Sequence, residues 1–257
     1  MEPAASGFEG IDNFRDFGGQ PSRFGGRVAS GRLFRSGDLA GASDADLGGL
    51  RARDIRLVVD MRYPRERETR PSRRHLPSGL VVLECADLPG GRAPHLPTGA
   101  KVSADEAFAR MLRVYRGMPF AAHYVDLLRA WFTALAETPR GGALVHCAVG
   151  KDRTGMIAGV TLLMLGVERE ALIADYMLTG DVRSFPNAHG DLRKERQHLI
   201  DGSDPATAMM YAAQADYVAA MLAAIDAEQG GIAGYAQAVL GLDMDVQERI
   251  RDNWLQR

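Results

Sequence analysis

Apolar residues along the chain follow two rhythms. The runs "IRLVVDM" (55–61), "GLVVLEC" (79–85) and "ALVHC" (143–147) are unbroken, short and rich in β-branched residues, which predicts buried strands. Alternating positions near Arg27–Val28 and Leu33–Arg35 predict two more strands, joined by Gly-rich turns. A helical rhythm governs the rest. "SDADLGGLRARD" (43–54) reads as a helix with Ser43 as N-cap, acidic residues in its first turn and Arg in its last. "DEAFARMLRVYRG" (105–117) is a second, and Phe120, Tyr124, Leu127, Leu128, Trp131 and Leu135 mark one face of a third. "RTGMIAGVTLLMLG" (153–166) leaves the strand at 143–147 as a helix. After Val167 the pattern is wholly helical, over 168–178, 205–228, 231–239 and 244–254, and residues 86–104 and 181–204 read as loops. Strands alternating with helices predict an α/β fold, a central sheet flanked by helices with a helical C-terminal part, as one domain over residues 1–257.

Composition narrows the class. With 46% hydrophobic and 25% charged residues the chain is an ordinary globular one, and a net charge of −2 gives it no global attraction to nucleic acid or anionic membrane. The start "MEPAASGFEGIDNF" lacks the basic and apolar regions of a signal peptide. The longest apolar stretch, "MIAGVTLLMLGV", falls far short of the roughly 20 residues of a membrane helix. These features place the protein in the cytoplasm by default, with export only by a leaderless route, and leave its oligomeric state open. Two cysteines, Cys85 and Cys147, make no disulfide scaffold. Lysine occurs at only three positions, 101, 151 and 194, in a chain that otherwise writes Arg.

One of those lysines sits inside "VHCAVGKDRTG", Val145 to Gly155. A strand, a short loop and a helix N-terminus gather backbone N–H groups around one point, where the helix dipole adds positive character. The backbone at Ala148, Val149 and Gly150 can cradle an anion. A thiol in such a setting loses its proton readily, with pKa values of about 3.5–7.5. Cys147 is therefore the candidate nucleophile, and the planar fork of Arg153 suits two phosphoryl oxygens. Thr154 is placed to donate its hydroxyl to the sulfur, and His146 to steady the loop backbone. A lone Cys is more often a small buried hydrophobe. Here a His precedes it, and an Arg and a hydroxyl follow at fixed spacing. A nucleotide-binding P-loop is excluded because Gly150–Lys151 is followed by Asp152 rather than Ser or Thr. No Cys-x-x-Cys spacing offers a zinc or dithiol site, so no metal or cofactor is expected.

"HCAVGKDRTG" resembles the signature of the cysteine-dependent protein tyrosine phosphatases. Its Lys–Asp pair is similar to the atypical tyrosine/lipid phosphatase group typified by mycobacterial protein tyrosine phosphatase B. Weaker matches run along most of the chain: "NFRDFGG" (13–19), "LFRSGDL" (33–39), "VVDMRYPRERE" (58–68), "ADYMLT" (174–179) and "GGIAGYAQAVLGL" (230–242). The resemblance implies a phosphotyrosine-phosphatase-like sheet, with 86–118 and 181–215 as variable, lid-like insertions. It implies metal-free hydrolysis of phosphotyrosine, and of phosphoserine/threonine and phosphoinositides, through a cysteinyl-phosphate. Two rival readings are a module that only captures phosphorylated ligands and a redox sensor built on Cys147.

The resemblance also bears on the Lys–Asp pair. The tumour-suppressor 3-phosphoinositide phosphatase carries a Lys at the same loop position, which implies that Lys151 reads a second phosphate; the bland alternative is a Lys tied to a nearby carboxylate. In this group the loop Asp is the proposed general acid, which implies that role for Asp152, with Asp87 as rival. Asp60, Arg62 and Glu66 read as an ion-pair cluster shaping the pocket wall. Arg15 and Asp16 read as a buttressing pair at a Gly18–Gly19 turn. Cys85 is either a thiol that traps oxidised Cys147 or a small core residue.

Overall fold

The computed structural model describes residues 7–74, 79–86, 102–138, 140–187 and 205–257. Its central sheet has the order β1 (Arg15–Asp16), β3 (Leu33–Ser36), β6 (Gly142–His146), β4 (Ile55–Asp60), β5 (Val81–Glu84). β1 is antiparallel to β3, and the other neighbours are parallel. Side chains alternate across a strand, and this sorts the core into two. Leu33, Leu57, Val59, Ala143 and Val145 face the larger cluster. Phe34, Val58 and Leu144 face the smaller one, with Leu50 of α1 (Asp44–Ala52) and the N-terminal Ile11 and Phe14.

The larger cluster is roofed by α3 (Ala104–Gly117), α4 (Ala122–Glu137), α5 (Asp152–Met164), α6 (Arg169–Met177), α7 (Pro205–Tyr211), α8 (Ala215–Gln229), α9 (Ile232–Ala238) and α10 (Met244–Trp254). A small antiparallel sheet joins β2 (Arg27–Val28) to β7 (Leu255–Gln256). α1 starts at the predicted N-cap Ser43, which closes a capping box: Ser43 Oγ accepts from the Asp46 amide and Asp46 accepts from the Ser43 amide.

Four details differ from the expectation. β5 is a half-exposed edge strand rather than a buried one. α2 (Pro64–Thr69) is a short charged helix with no apolar rhythm, started by Pro64. The helix expected over 205–228 is two, because Ala212 bridges to Asp181 and the Ala213 amide donates to Gly180 O. β7 ends a stretch expected to be all helix.

The described parts of the two expected insertions are built into the core. α3 packs on α7, and Ala107, Met111, Tyr115, Ala206 and Met210 are buried. Residues 87–101 and 188–204 lie outside the described ones. No helix among the described residues is long and apolar enough to cross a membrane.

Candidate active site

β6 ends at His146, in the middle of the sheet, and the chain turns through Cys147–Lys151 into α5. Gly150 makes that turn possible: its φ is +70°, and a Cβ there would sit 2.5 Å from Ser36 O. The loop carbonyls are drawn outward by donors from neighbouring segments. His146 O accepts from the Met61 amide at 2.8 Å and Ala148 O from the Asp38 amide at 3.1 Å. Val149 O accepts from Asn13 Nδ2 at 3.3 Å, and Gly150 O from Asn13 Nδ2 at 2.9 Å and Arg35 Nη2 at 3.0 Å. In a trans peptide the N–H points opposite to the C=O of the same unit. The amides of Cys147, Val149, Gly150 and Lys151 are thereby turned away from these donors, toward the inside of the loop.

The donors are themselves fixed. Arg35 Nη1 binds Asp175 Oδ2 at 2.6 Å, and Arg15 Nε binds Asp175 Oδ1 at 3.0 Å. Arg15 also donates to Asn13 Oδ1, Asp175 O and Thr179 Oγ1. Burial acts to raise the Asp175 pKa, but the charges of Arg35 and Arg15 hold it below the usual carboxylate range. The expected Arg15–Asp16 pair is therefore corrected: Arg15 pairs with Asp175, and Asp16 accepts from the Gly18 and Gly31 amides to shape the turn.

Arg153 is held end-on by Glu66, Nη1 to Oε2 at 2.6 Å and Nη2 to Oε1 at 2.8 Å, and Nη1 also donates to Met61 O at 3.0 Å. Although burial acts to lower it, the Glu66 bonds and charge push the Arg153 pKa above its ordinary value. A guanidinium has five N–H donors. Among the described residues three are committed, and the two left, on Nε and Nη2, share one edge of the plane, the geometry that grips two phosphoryl oxygens. Glu66 thus holds Arg153 directly, and its charge also acts on Arg62.

Asp60 and Arg62 do form a buried pair, at 2.7 Å, joined by Arg74 at 2.8 Å. Burial would raise the Asp60 pKa, yet His146 beside it and the Arg62 fork hold it well down. His146 is fully buried, with Nε2 3.6 Å from Asp60 Oδ2, and burial lowers its pKa against the pull of Asp60. Its ring nitrogens have no hydrogen-bond partner among the described residues, so the ring does not steady the loop as expected; its backbone carbonyl does. Thr154 Oγ1 is likewise buried without a partner among the described residues.

Cys147, 2% exposed, lies at the bottom, with Ala148 and Val149 half-buried above it. Asp152 Oδ1 accepts from Tyr115 OH at 2.6 Å and lies 3.2 Å from Lys151 Nζ. Lys151 is buried and also donates to two carbonyls of the helical part. Its expected freedom to meet a second phosphate is absent here. Asp87 lies outside the described residues. Cys85 is in the core, its thiol pushed up to about 11 by burial. No group of three or more His, Cys, Asp or Glu suited to a metal occurs among the described residues.

The residues that sequence reasoning passed over are Asn13, Arg35, Asp175 and Tyr115; Glu66 reads from the sequence as a site residue, but with another partner. The first three lie in fragments noted only as weak matches, and Tyr115 in "DEAFARMLRVYRG".

A family profile described as "Tyrosine phosphatase family" matches residues 6–256. A Cupriavidus necator protein named "Putative tyrosine-protein phosphatase" is 33% identical over 245 residues, covering 92% of this chain and 84% of its own. The "Triple specificity protein phosphatase PtpB" of Mycobacterium tuberculosis is 28% identical, covering 94% of this chain and 96% of its own. A "Tyrosine-protein phosphatase" of Nostoc commune is 25% identical, over 86% of this chain and 74% of its own.

Proposed function

This chain belongs to the tyrosine phosphatase family, and from that premise we propose that it hydrolyses phosphotyrosine through a cysteinyl-phosphate on Cys147. The observation that carries the proposal is the loop itself: outward-tied carbonyls, inward amides, and the open edge of Arg153 around one sulfur. A phosphoryl group bound there has its oxygens on the loop amides and the Nε/Nη2 edge of Arg153. The Cys147 thiolate attacks phosphorus; an S–P bond forms as the P–O bond to the leaving group breaks. Water then attacks the same phosphorus, the S–P bond breaks, and the thiolate and inorganic phosphate are released. The Thr154 hydroxyl, without a partner among the described residues, is kept for the departing sulfur.

Phosphotyrosine comes first as substrate because the family is that of tyrosine phosphatases. Phosphoserine/threonine and phosphoinositides follow as further substrates, by analogy with the relative named for triple specificity. The leaving oxygen also needs a proton. The Asp152 carboxylate is already engaged by Tyr115 OH at 2.6 Å and by the Lys151 ammonium at 3.2 Å. We therefore assign Asp152 to positioning and the proton-donor role to Asp87, two residues beyond Cys85.

Cys147→Ser should abolish hydrolysis of nitrophenyl phosphate and of a phosphotyrosine peptide while phosphate still binds. Activity surviving in that variant sinks the covalent route. Asp87→Asn should slow alkyl phosphates far more than nitrophenyl phosphate, whose leaving group needs no proton, by about 10²–10⁴-fold. Asp152→Asn should slow both alike; the reverse pattern returns the acid role to Asp152.

A further inference from the structure

Lys151 is the loop's odd member, a lysine 1% exposed in a chain with few lysines. Its ammonium donates to Met210 O at 2.6 Å and Ala212 O at 3.3 Å, and lies 3.2 Å from Asp152 Oδ1. An ammonium has three N–H donors, and here three acceptors surround it. Met210 and Ala212 stand at the C-terminal end of α7 and just past it, where helix carbonyls lack intrahelical donors and a cation is favoured. On the other side of the pair, Asp152 accepts from Tyr115 OH of α3, whose hydroxyl lies 2.7 Å from that of Tyr176 in α6. One ion pair on the catalytic loop thus touches α7 directly, α3 directly and α6 through a hydroxyl.

We propose that the Lys151–Asp152 pair is a strut that docks α3 and α7 on the catalytic loop, and that Lys151 is a positioning residue rather than a reader of substrate phosphate. Turning the ammonium toward a ligand would strip Met210 O, Ala212 O and Asp152 of their shared donor in a buried place, a loss a solvent-exposed phosphate contact does not recover. α7 keeps other ties, Tyr217 OH to Met209 O and the Ala213 amide to Gly180 O, both at 2.8 Å, so it can remain folded when the strut is cut. The strut rests on the phosphatase reading only for its kinetic consequence.

The test pairs hydrogen exchange with kinetics on the full chain. In Lys151→Met, amides of residues 206–213 should exchange roughly tenfold to hundredfold faster, the scale of one lost charge-assisted hydrogen bond. Tyr115→Phe, which removes one hydroxyl from the far side, should accelerate the same amides by less; it carries the test if Lys151→Met does not fold. Turnover of nitrophenyl phosphate and of a short-chain phosphatidylinositol bisphosphate should fall by the same factor in Lys151→Met. Unchanged exchange in both variants, or a loss confined to the bisphosphate, overturns the strut. The exchange arm needs no activity, so it decides even if the wild type hydrolyses neither compound.

Discussion

Replacing Asn13 by glycine isolates the tie between the N-terminal segment and the catalytic loop. Asn13 holds φ +56°, a left-handed conformation that Asn tolerates and glycine adopts freely, so the backbone stays unstrained. What is lost is the side-chain amide that donates to Gly150 O at 2.9 Å and Val149 O at 3.3 Å and accepts from Arg15 Nη1. Two neutral hydrogen bonds at about 1 kcal/mol each, one charge-assisted bond at about 1.5–3 kcal/mol, and roughly 0.5–1 kcal/mol for the added chain entropy of glycine lower the unfolding free energy by about 4–6 kcal/mol. Gly150 O keeps Arg35, whereas Val149 O loses the side chain that turned it outward. If one amide loses its aim at the transition state, about 1.4 kcal/mol or tenfold in kcat/KM goes with it, and inorganic phosphate binds more weakly by a similar factor. Urea unfolding, nitrophenyl phosphate kinetics and phosphate inhibition measure these three. Asn13→Ala should be about 1–2 kcal/mol less stable than Asn13→Gly because of the left-handed backbone, with the same phosphate affinity. A folded Asn13→Gly protein with wild-type phosphate affinity refutes the claim that outward carbonyls aim the amides.

Acid sensitivity and oxidation give two more checks. Asp60 and Asp175 have folded pKa values below their ordinary 3.8, so their stabilisation is present above about pH 4 and is lost as pH falls through the folded values. His146, held neutral below its ordinary 6.5, makes stability decline earlier, from about pH 6.5 downward. His146→Gln should flatten the unfolding free energy between pH 6.5 and 4.5, and an equal slope in both proteins would remove His146 from the account. For oxidation, Cys85 and Cys147 follow β5 and β6, which flank β4 in level register. Two strand spacings put them about 9–10 Å apart, beyond the roughly 7 Å that a disulfide spans. Peroxide inactivation and its recovery in dithiothreitol should therefore be the same in Cys85→Ser as in wild type; irreversible loss in the variant alone would mean that the backbone moves to let Cys85 trap the nucleophile.

Much of the fold was legible because its physical causes are local. The β-branched runs at 55–61 and 143–147 became β4 and β6, and Ser43 with Asp46 announced α1. What escaped depends on partners far away in sequence. Nothing in "TAMMYAAQADYV" breaks a helix; the chain leaves it at Ala212 because Asp181 and Gly180 offer alternative pairing. Val81 reads as buried until one knows that β5 lies at the sheet edge. The site divides in the same way. Cys147 and Arg153 sit in one contiguous loop whose spacing is their signal. Glu66 in "RYPRERE" was legible as an ion-pair residue, but its partner Arg153, 87 residues away in sequence, was not.

The scattered fragments "NFRDFGG", "LFRSGDL" and "ADYMLT" acquire a common cause once the loop is seen from behind. An anion cradle made of backbone amides needs its carbonyls satisfied elsewhere, and no residue of the loop itself supplies that. β1 and β3 deliver Arg15 and Arg35, the bend before β1 delivers Asn13, and α6 delivers the Asp175 carboxylate that keeps the half-buried Arg15 and the buried Arg35 together. Cutting that carboxylate would leave both cations uncompensated, which is why the acid is as necessary as the bases. The Lys–Asp pair inside the loop obeys the same logic from the front. Asp152 does not repel a bound phosphate unopposed, because its charge faces Lys151 and Tyr115, and Lys151 has its donors committed to α7. The pair is close to electrically neutral as a unit, so the work of holding a phosphoryl group falls to the inward amides and to the open edge of Arg153.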